Sequence, residues 1–230
     1  MLNILAIDTS STSGSIAVCK ENKIVFVSFL DLQITHSERL MPQIDFGFKQ
    51  SGITLDDIDL ITITNGPGSF TGIRIGLSTA KGFCFGKKIP LLPVNTLEIL
   101  AFNVYGSCLP ILSMIDAKMD EVYAALYSPE MEILIPPQNC KPADFLDKIK
   151  EKVIIVGDGA VKYRETISNS GTDCIFAQPH QNIVLASALI SYALKNKTIP
   201  KYDFDFIADL EPYYLRKSQA ELAKMKAEDR

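Results

Sequence analysis

The chain has no tryptophan, only two histidines and no closely spaced cysteine pair. His36 and His180 are too far apart to share one helix, which excludes two-histidine metal motifs of the His-Glu-x-x-His kind. The five cysteines (Cys19, Cys84, Cys108, Cys140 and Cys174) are scattered and odd in number, with no Cys-x-x-Cys. Zinc and disulfide frameworks are therefore poor readings, and reduced, mostly buried thiols are the plain expectation. No apolar run approaches the ~18 residues a membrane helix needs. The chain opens directly on a strand pattern, so no signal peptide is expected, and the expected compartment is the cytoplasm. Cations are not in excess: 23 Lys and Arg against 27 Asp and Glu leave a net charge of −4. That is not the footprint of a protein that holds nucleic acid by itself, and any RNA would be gripped mainly by a partner.

What is present is a 230-residue chain, 47% hydrophobic, without low-complexity tracts. It is long enough for one large or two small domains. Its most informative stretch runs from Asn65 to Gly76, NGPGSFTGIRIG. The β-branched run Leu60–Thr64 before it predicts a buried strand, which Asn-Gly-Pro-Gly must end. A helix then opens near Ser69 or Thr71, either of which can cap it, and continues to about Phe85 with Gly86 as its end. Strand, glycine loop and helix aim backbone N–H groups at an anion. The lysine and spacing of a P-loop are missing.

Around this motif the pattern reads as a three-strand meander from Leu2 to Phe29, with a hairpin turn at Glu21-Asn22. A helix from about Ser37 to Ser51 places Leu40, Met41, Ile44 and Phe48 on one face and ends at Gly52. Thr54 to Asp57 reads as a short capped turn. In the helix after the glycine loop, Gly72, Gly76 and Ala80 recur every four residues beside Gly82. That strips side chains from one face and invites close approach of another backbone. The apolar residues Ile73, Leu77, Ala80 and Cys84 suit an inward face equally well, and the pattern does not choose between them. Ile89–Val94 predicts a strand, followed by a helix capped by Thr96.

Gly106 to Pro110 reads as a linker, and beyond it the pattern starts again. Leu109–Asp116 echoes Ile4–Asp8: an apolar strand ending in aspartate. Hairpin strands at 122–127 and 131–135, a helix at 142–150, a strand at 153–156, the turn Gly157-Asp-Gly159, a strand near Cys174–Phe176 and a helix at 182–195 follow. This suggests an internal duplication: a first lobe over 1–106, a second over 107–216, and a frayed tail at 217–230.

The stretches ILAIDTS, HSERLMP, NGPGSFTGIRIGLSTAKG, IDAKMDEVYAALY and EPYYLR, spread from Leu2 to Arg216, resemble the TsaB (YeaZ) family. That family is a paralogue of the TsaD transferases within the actin, sugar kinase and Hsp70-like ATPase superfamily. The resemblance implies an α/β fold of the actin-like (ASKHA, ribonuclease H-like) type: duplicated, two-lobed, with mixed sheets flanked by helices. It implies a role in making N6-threonylcarbamoyladenosine in tRNAs reading codons that start with A. In that pathway TsaC makes threonylcarbamoyl-adenylate, TsaD transfers the group, and the ATPase TsaE joins TsaD and TsaB. TsaB itself is regarded as a non-catalytic partner of TsaD.

The resemblance further implies partner contact through the two helices at 37–51 and 71–85, with Leu40, Met41, Ile44, Phe48, Gly72, Ile73, Gly76, Leu77 and Ala80 as contact candidates. Self-pairing through the same surface is implied when TsaD is absent. A vestigial nucleotide site would use Asp8, Thr9, Ser10, Gly66, Gly68 and Asp116; Gly157 and Gly159 read first as a plain tight turn, with an adenine face as the alternative. No cofactor or metal is expected on the chain alone, and ATP or ADP and a metal belong to the partner complex. The TsaD metal site needs two histidines four apart. Here His36 is followed by Leu40, so His36 is expected to be a polar residue at a helix start. Ser69 lies outside G-x-S-x-G and has no paired base nearby in sequence. Lys118, Asp120 and Glu121 read as solvated turn charges. The rival readings are an active actin-like ATPase or glycoprotease, and a self-contained homodimeric binding module.

Overall fold

The first apolar run becomes β1 (Ile4–Asp8), in which every residue is buried. A strand hidden on both faces needs cover on both sides. It pairs antiparallel with β2 (Gly14–Lys20), which turns through Glu21 and Asn22 into β3 (Lys23–Leu30). Those two turn residues have φ of 52° and 68°, the left-handed geometry that matches strand twist in a tight hairpin. On its other side β1 runs parallel to β4 (Leu60–Thr64), which runs parallel to β5 (Leu91–Val94). The sheet order is β3-β2-β1-β4-β5. The computed structural model describes residues 1–31, 35–196 and 199–216; the tail expected to fray lies outside them.

The second half repeats the scheme. β6 (Ile111–Lys118), β7 (Glu121–Tyr127) and β8 (Ile133–Cys140) form an antiparallel meander, and β9 (Val153–Val156) and β10 (Cys174–Phe176) add in parallel. The order β8-β7-β6-β9-β10 is the first sheet's order shifted by five strands. Strand for strand, β1 with its terminal Asp8 corresponds to β6 with Asp116. The strand predicted at 131–135 is longer because Pro136 and Pro137 are tolerated on the sheet edge, where no ladder donor is needed.

Helices fill three layers. α1 (His36–Ser51) is opened by a capping box of Thr35 and Glu38 and closed by Gly52 at φ 61°. α2 (Phe70–Lys87) is capped by Ser69, whose Oγ accepts from Gly72 N–H at 3.2 Å. It runs past Gly86 because Lys88 takes the left-handed position and its N–H bonds the Cys84 carbonyl. Both helices cover one face of the first sheet: Leu40, Ile44, Leu77, Ala80 and Cys84 pack on Leu5, Ile7, Ile16, Ile61 and Ile63.

Between the two sheets lie α3 (Thr96–Phe102) and α7 (Ala186–Asn196), which join residues such as Ile4 and Leu60 to Ile111, Tyr127 and Val156 in one core. The cap of α3 is Asn95, whose Oδ1 accepts from Leu97 N–H, so Thr96 is the first helical residue. The outer face of the second sheet is covered by α4 (Pro142–Leu146), α5 (Asp158–Lys162) and α6 (Arg164–Asn169).

The first sheet ends with β5 at Val94 and the second begins with β6 at Ile111, but the chain then returns to the first. α7 lies on β1 and β2, and α8 (Phe204–Asp209) packs beside α2 with Ile207 in the first lobe's core.

Candidate functional site

Asp8 at the end of β1 and Asp116 near the end of β6 are the natural place to look for nucleotide chemistry. Asp8 is fully buried, and its Oδ1 accepts from Ser10 Oγ at 2.6 Å, Thr64 Oγ1 at 2.6 Å and Ser10 N–H at 3.2 Å. Burial pushes its carboxyl up, and those bonds offset only part of the push. Thr9 Oγ1 donates to the Gly72 carbonyl at 2.8 Å. Ser69 N–H, the donor that a glycine loop would offer a phosphate, goes to the Ser10 carbonyl at 2.6 Å. A Cβ on Gly68 would strike that same Ser10 carbonyl, and one on Gly66 would lie 2.5 Å from the Tyr213 carbonyl. The loop glycines are there so that the chain's own backbone can pass close by.

Asp116 is occupied differently. Lys118 Nζ lies 2.7 Å from Oδ2 and Lys162 Nζ 2.9 Å from Oδ1. Burial alone would raise this carboxyl, but the bonds from Lys118 and Lys162 outweigh it and hold it at about 2. The Asp116 N–H donates to Asp158 Oδ1 at 3.0 Å, and burial raises the Asp158 carboxyl. Gly157 N–H goes to Asn182 Oδ1 at 2.8 Å, and a Cβ at Gly157 or Gly159 would run into Met114 on β6. This turn starts α5 and hugs a strand rather than opening a face for adenine. Lys118 belongs to this ion cluster and Glu121 binds Asn139 Nδ2, so neither is only a solvated turn charge. A cleft of about 320 Å³ does separate the lobes here, with Ser10–Thr12 and Gly68–Phe70 on one wall and Ile115–Lys118, Tyr123 and Asp158 on the other. On its wall Asp116 is paired with Lys118 and Lys162; Asp8 is buried behind it, with Oδ1 bonded to Ser10 and Thr64 and Oδ2 without a hydrogen-bond partner among the described residues.

His36 is a linchpin of α1. Arg39 Nη2 lies 3.0 Å from its Nδ1 and can only donate, so the proton sits on Nε2, which donates to the Ser11 carbonyl at 2.8 Å. Arg39 also bonds the Thr12 and Leu30 carbonyls. His180 lies exposed in a short turn. Among the described residues no group of three His, Cys, Asp or Glu is placed to hold a metal. Ser69 Oγ is engaged as the α2 cap.

The helix surface needs correction. Of the nine contact candidates, Leu40, Ile44, Gly72, Ile73, Gly76, Leu77 and Ala80 are buried inside the chain. The reason is that the close neighbour of the small-residue stripe is β1 and the loop after it. A Cβ on Gly72 would strike the Thr9 carbonyl, and one on Gly76 would strike Thr9 Oγ1 and lie 3.3 Å from Ile63. Met41, 49% exposed, and the half-buried Phe48 do reach the surface. On α2 a second stripe runs through the half-buried Ile75 and Thr79 and the exposed Gly82 and Gly86, with spacings of four, three and four. A Cβ on Gly82 or Gly86 would meet nothing within 4 Å. The spacing of this outer stripe is visible in the sequence once α2 is carried past Gly86 to Lys87.

Comparison with known proteins gives these features a family. Residues 31–224 match the family model for TsaD, tRNA N6-adenosine threonylcarbamoyltransferase. The chain is 30% identical over 229 residues to the tRNA threonylcarbamoyladenosine biosynthesis protein TsaB of Haemophilus influenzae, covering 94% of each chain. It is 32% identical over 227 residues to TsaB of Bacillus subtilis, covering 96% of each. A Pseudomonas aeruginosa structure described as similar to the peptidase YeaZ superposes with a TM-score of 0.78 at 25% identity, over 94% of this chain and all of that one. The ROK hexokinase of Thermus thermophilus, at 10% identity and a TM-score of 0.50 over 86% of this chain and all of that one, shares the fold alone. With its two matching sheets and their sugar-kinase-like architecture, the chain belongs to the TsaB (YeaZ) family of tRNA threonylcarbamoyladenosine biosynthesis proteins.

Proposed function

We propose that this chain is a docking subunit for the threonylcarbamoyl transferase TsaD, and that it supports the transfer to tRNA without performing chemistry itself. The observation that carries this reading is the outer stripe of α2, where the exposed Gly82 and Gly86 follow Ile75 and Thr79 along one helix face. Interior glycines cost a helix ~1 kcal/mol each relative to alanine. Among the described residues nothing lies within 4 Å of a Cβ built at either of these two, which suits a partner helix that crosses close to the backbone. Such an interface should bury more than ~1,000 Å² in total.

The pairing of both Asp116 oxygens with Lys118 and Lys162, and the complete burial of Asp8, support the non-catalytic half of the reading. ATP or ADP, the metal and TsaE then act with the transferase, and tRNA is held mainly by the assembly. The same face allows self-pairing when TsaD is absent. The test is to reconstitute threonylcarbamoyl transfer with the cell's own TsaD, with and without this chain, and to assay the isolated chain for ATP hydrolysis. Dependence of transfer on the chain, together with no hydrolysis by it alone, is the expected result. Turnover by the isolated chain would overturn the proposal.

A further inference from the structure

The segment 211–216 crosses from one lobe to the other and touches both walls of the cleft. In the first lobe, Tyr213 N–H donates to the Asn65 carbonyl at 2.7 Å, just before the glycine loop. The Tyr214 ring stacks on Phe70 with centroids 4.6 Å apart. Arg74 Nε donates to Tyr214 Oη at 2.8 Å while its guanidinium lies 3.8 Å from the centre of the Phe70 ring. Two residues on, Arg216 reaches the second lobe. Its Nη1 donates to the Ala117 carbonyl at 3.1 Å and pairs with Glu121 at 3.5 Å, and its Nη2 meets Met119 Sδ at 2.7 Å.

What Arg216 holds is an unfavourable turn. Lys118, Met119 and Asp120, at the tip between β6 and β7, have φ of 62°, 54° and 58°. Three successive non-glycine residues in the left-handed region are strained, and such a turn persists only when its surroundings impose it. Inside its own lobe the tip is anchored by Lys118, through Asp116; the Arg216 contacts come from the strap. The tip continues the second-lobe wall of the cleft, Ile115–Lys118, which lies opposite Gly68–Phe70, where Tyr214 stacks on Phe70.

We propose that residues 211–216 are a strap that sets the opening between the lobes, with Arg216 holding the strained β6–β7 tip down and Tyr213 and Tyr214 tying that hold to the glycine loop and the first turn of α2. When the strap lets go, the tip relaxes and the cleft widens. A displacement of the first turn of α2 pulls on the same strap, so events on α2 are felt at the tip. The inference does not depend on which partner binds.

Hydrogen exchange on the free, full chain tests it. Arg216→Ala is expected to speed exchange of the amides at 116–123 about tenfold, the effect of losing a charge-assisted bond that restrains local opening, while α7 keeps its protection. Tyr214→Ala, which does not touch the tip, is expected to speed exchange there too. If Arg216→Ala also loosens α7, Arg216→Lys carries the test. It keeps a cation for Glu121 but loses the fork that reaches Ala117, and it is expected to loosen the tip alone. Unchanged exchange at 116–123 in the Arg216 variants, or loosening confined to 66–74 in Tyr214→Ala, would overturn the strap.

Discussion

Thr9 and Gly76 compete for one volume: the Thr9 hydroxyl lies where a side chain on Gly76 would begin, and it donates to the Gly72 carbonyl one turn earlier at 2.8 Å. The close approach that the small residues of α2 allow is thus an approach to its own sheet. A methyl added at Gly76 must displace a buried hydroxyl and the β1 loop. We expect Gly76→Ala to lower unfolding stability by about 3 kcal/mol, the scale of overpacking in a dense core. Gly82→Ala, into open space, is expected to raise it by up to ~1 kcal/mol. Urea unfolding of both variants checks the pair, and equal effects would refute the assignment of faces.

The ion cluster at Asp116 predicts an acid-side loss of stability. Folding lowers this carboxyl from 3.8 to about 2, so between those values the unfolded chain binds more protons than the native one. The stabilisation is complete above 3.8 and disappears as the pH falls toward 2. It is on the order of 2 kcal/mol for a side chain that is only 5% exposed. Lys162→Met, which removes one of the two ammoniums, should raise the Asp116 titration midpoint and shrink the acid-side loss. Carboxyl NMR titration with urea midpoints across pH 3 to 7 measures both; a midpoint unmoved by the substitution would contradict it.

Asp8 has the opposite sign. Its carboxyl is raised by burial, so the native state binds the extra proton, and this group's contribution to stability declines as pH rises from 3.8 through its raised value. Asp8→Asn keeps an oxygen for Ser10 and Thr64. It should flatten that part of the pH profile and leave support of threonylcarbamoyl transfer within about twofold of wild type. A Mg-ligand role for Asp8 would show instead as loss of that support.

Much of the fold was legible because its signals are local. The apolar run at 4–8, the β-branched run at 60–64, the Ser69 cap, the left-handed Gly52 and the Thr54–Asp57 box each act within a few residues. The duplicated strand-Asp pattern was legible too, and the matching strand orders give it a physical form. The helices α5, α6 and α8 were not, since five or six residues hold less than two turns of periodicity. The start of α7 was placed four residues early, at Asn182. That side chain instead takes Gly157 N–H, while Asn103 Nδ2 binds the carbonyls of Gln181 and Ile183 and keeps this stretch out of the helix. The candidate site was harder still. A helix with small residues on two faces has two plausible contact surfaces, and only the tertiary position of Thr9 decides which one is inside.

The most direct measurement is the affinity of the full chain for the cell's own TsaD, compared with that of Gly82→Leu. The account predicts a stoichiometric complex with the native chain. It also predicts a variant that folds at least as stably when alone, yet binds at least ~tenfold more weakly because the leucine fills the space a partner helix needs. A native chain with no affinity for TsaD, or a leucine variant that binds as tightly as the native chain, would contradict it.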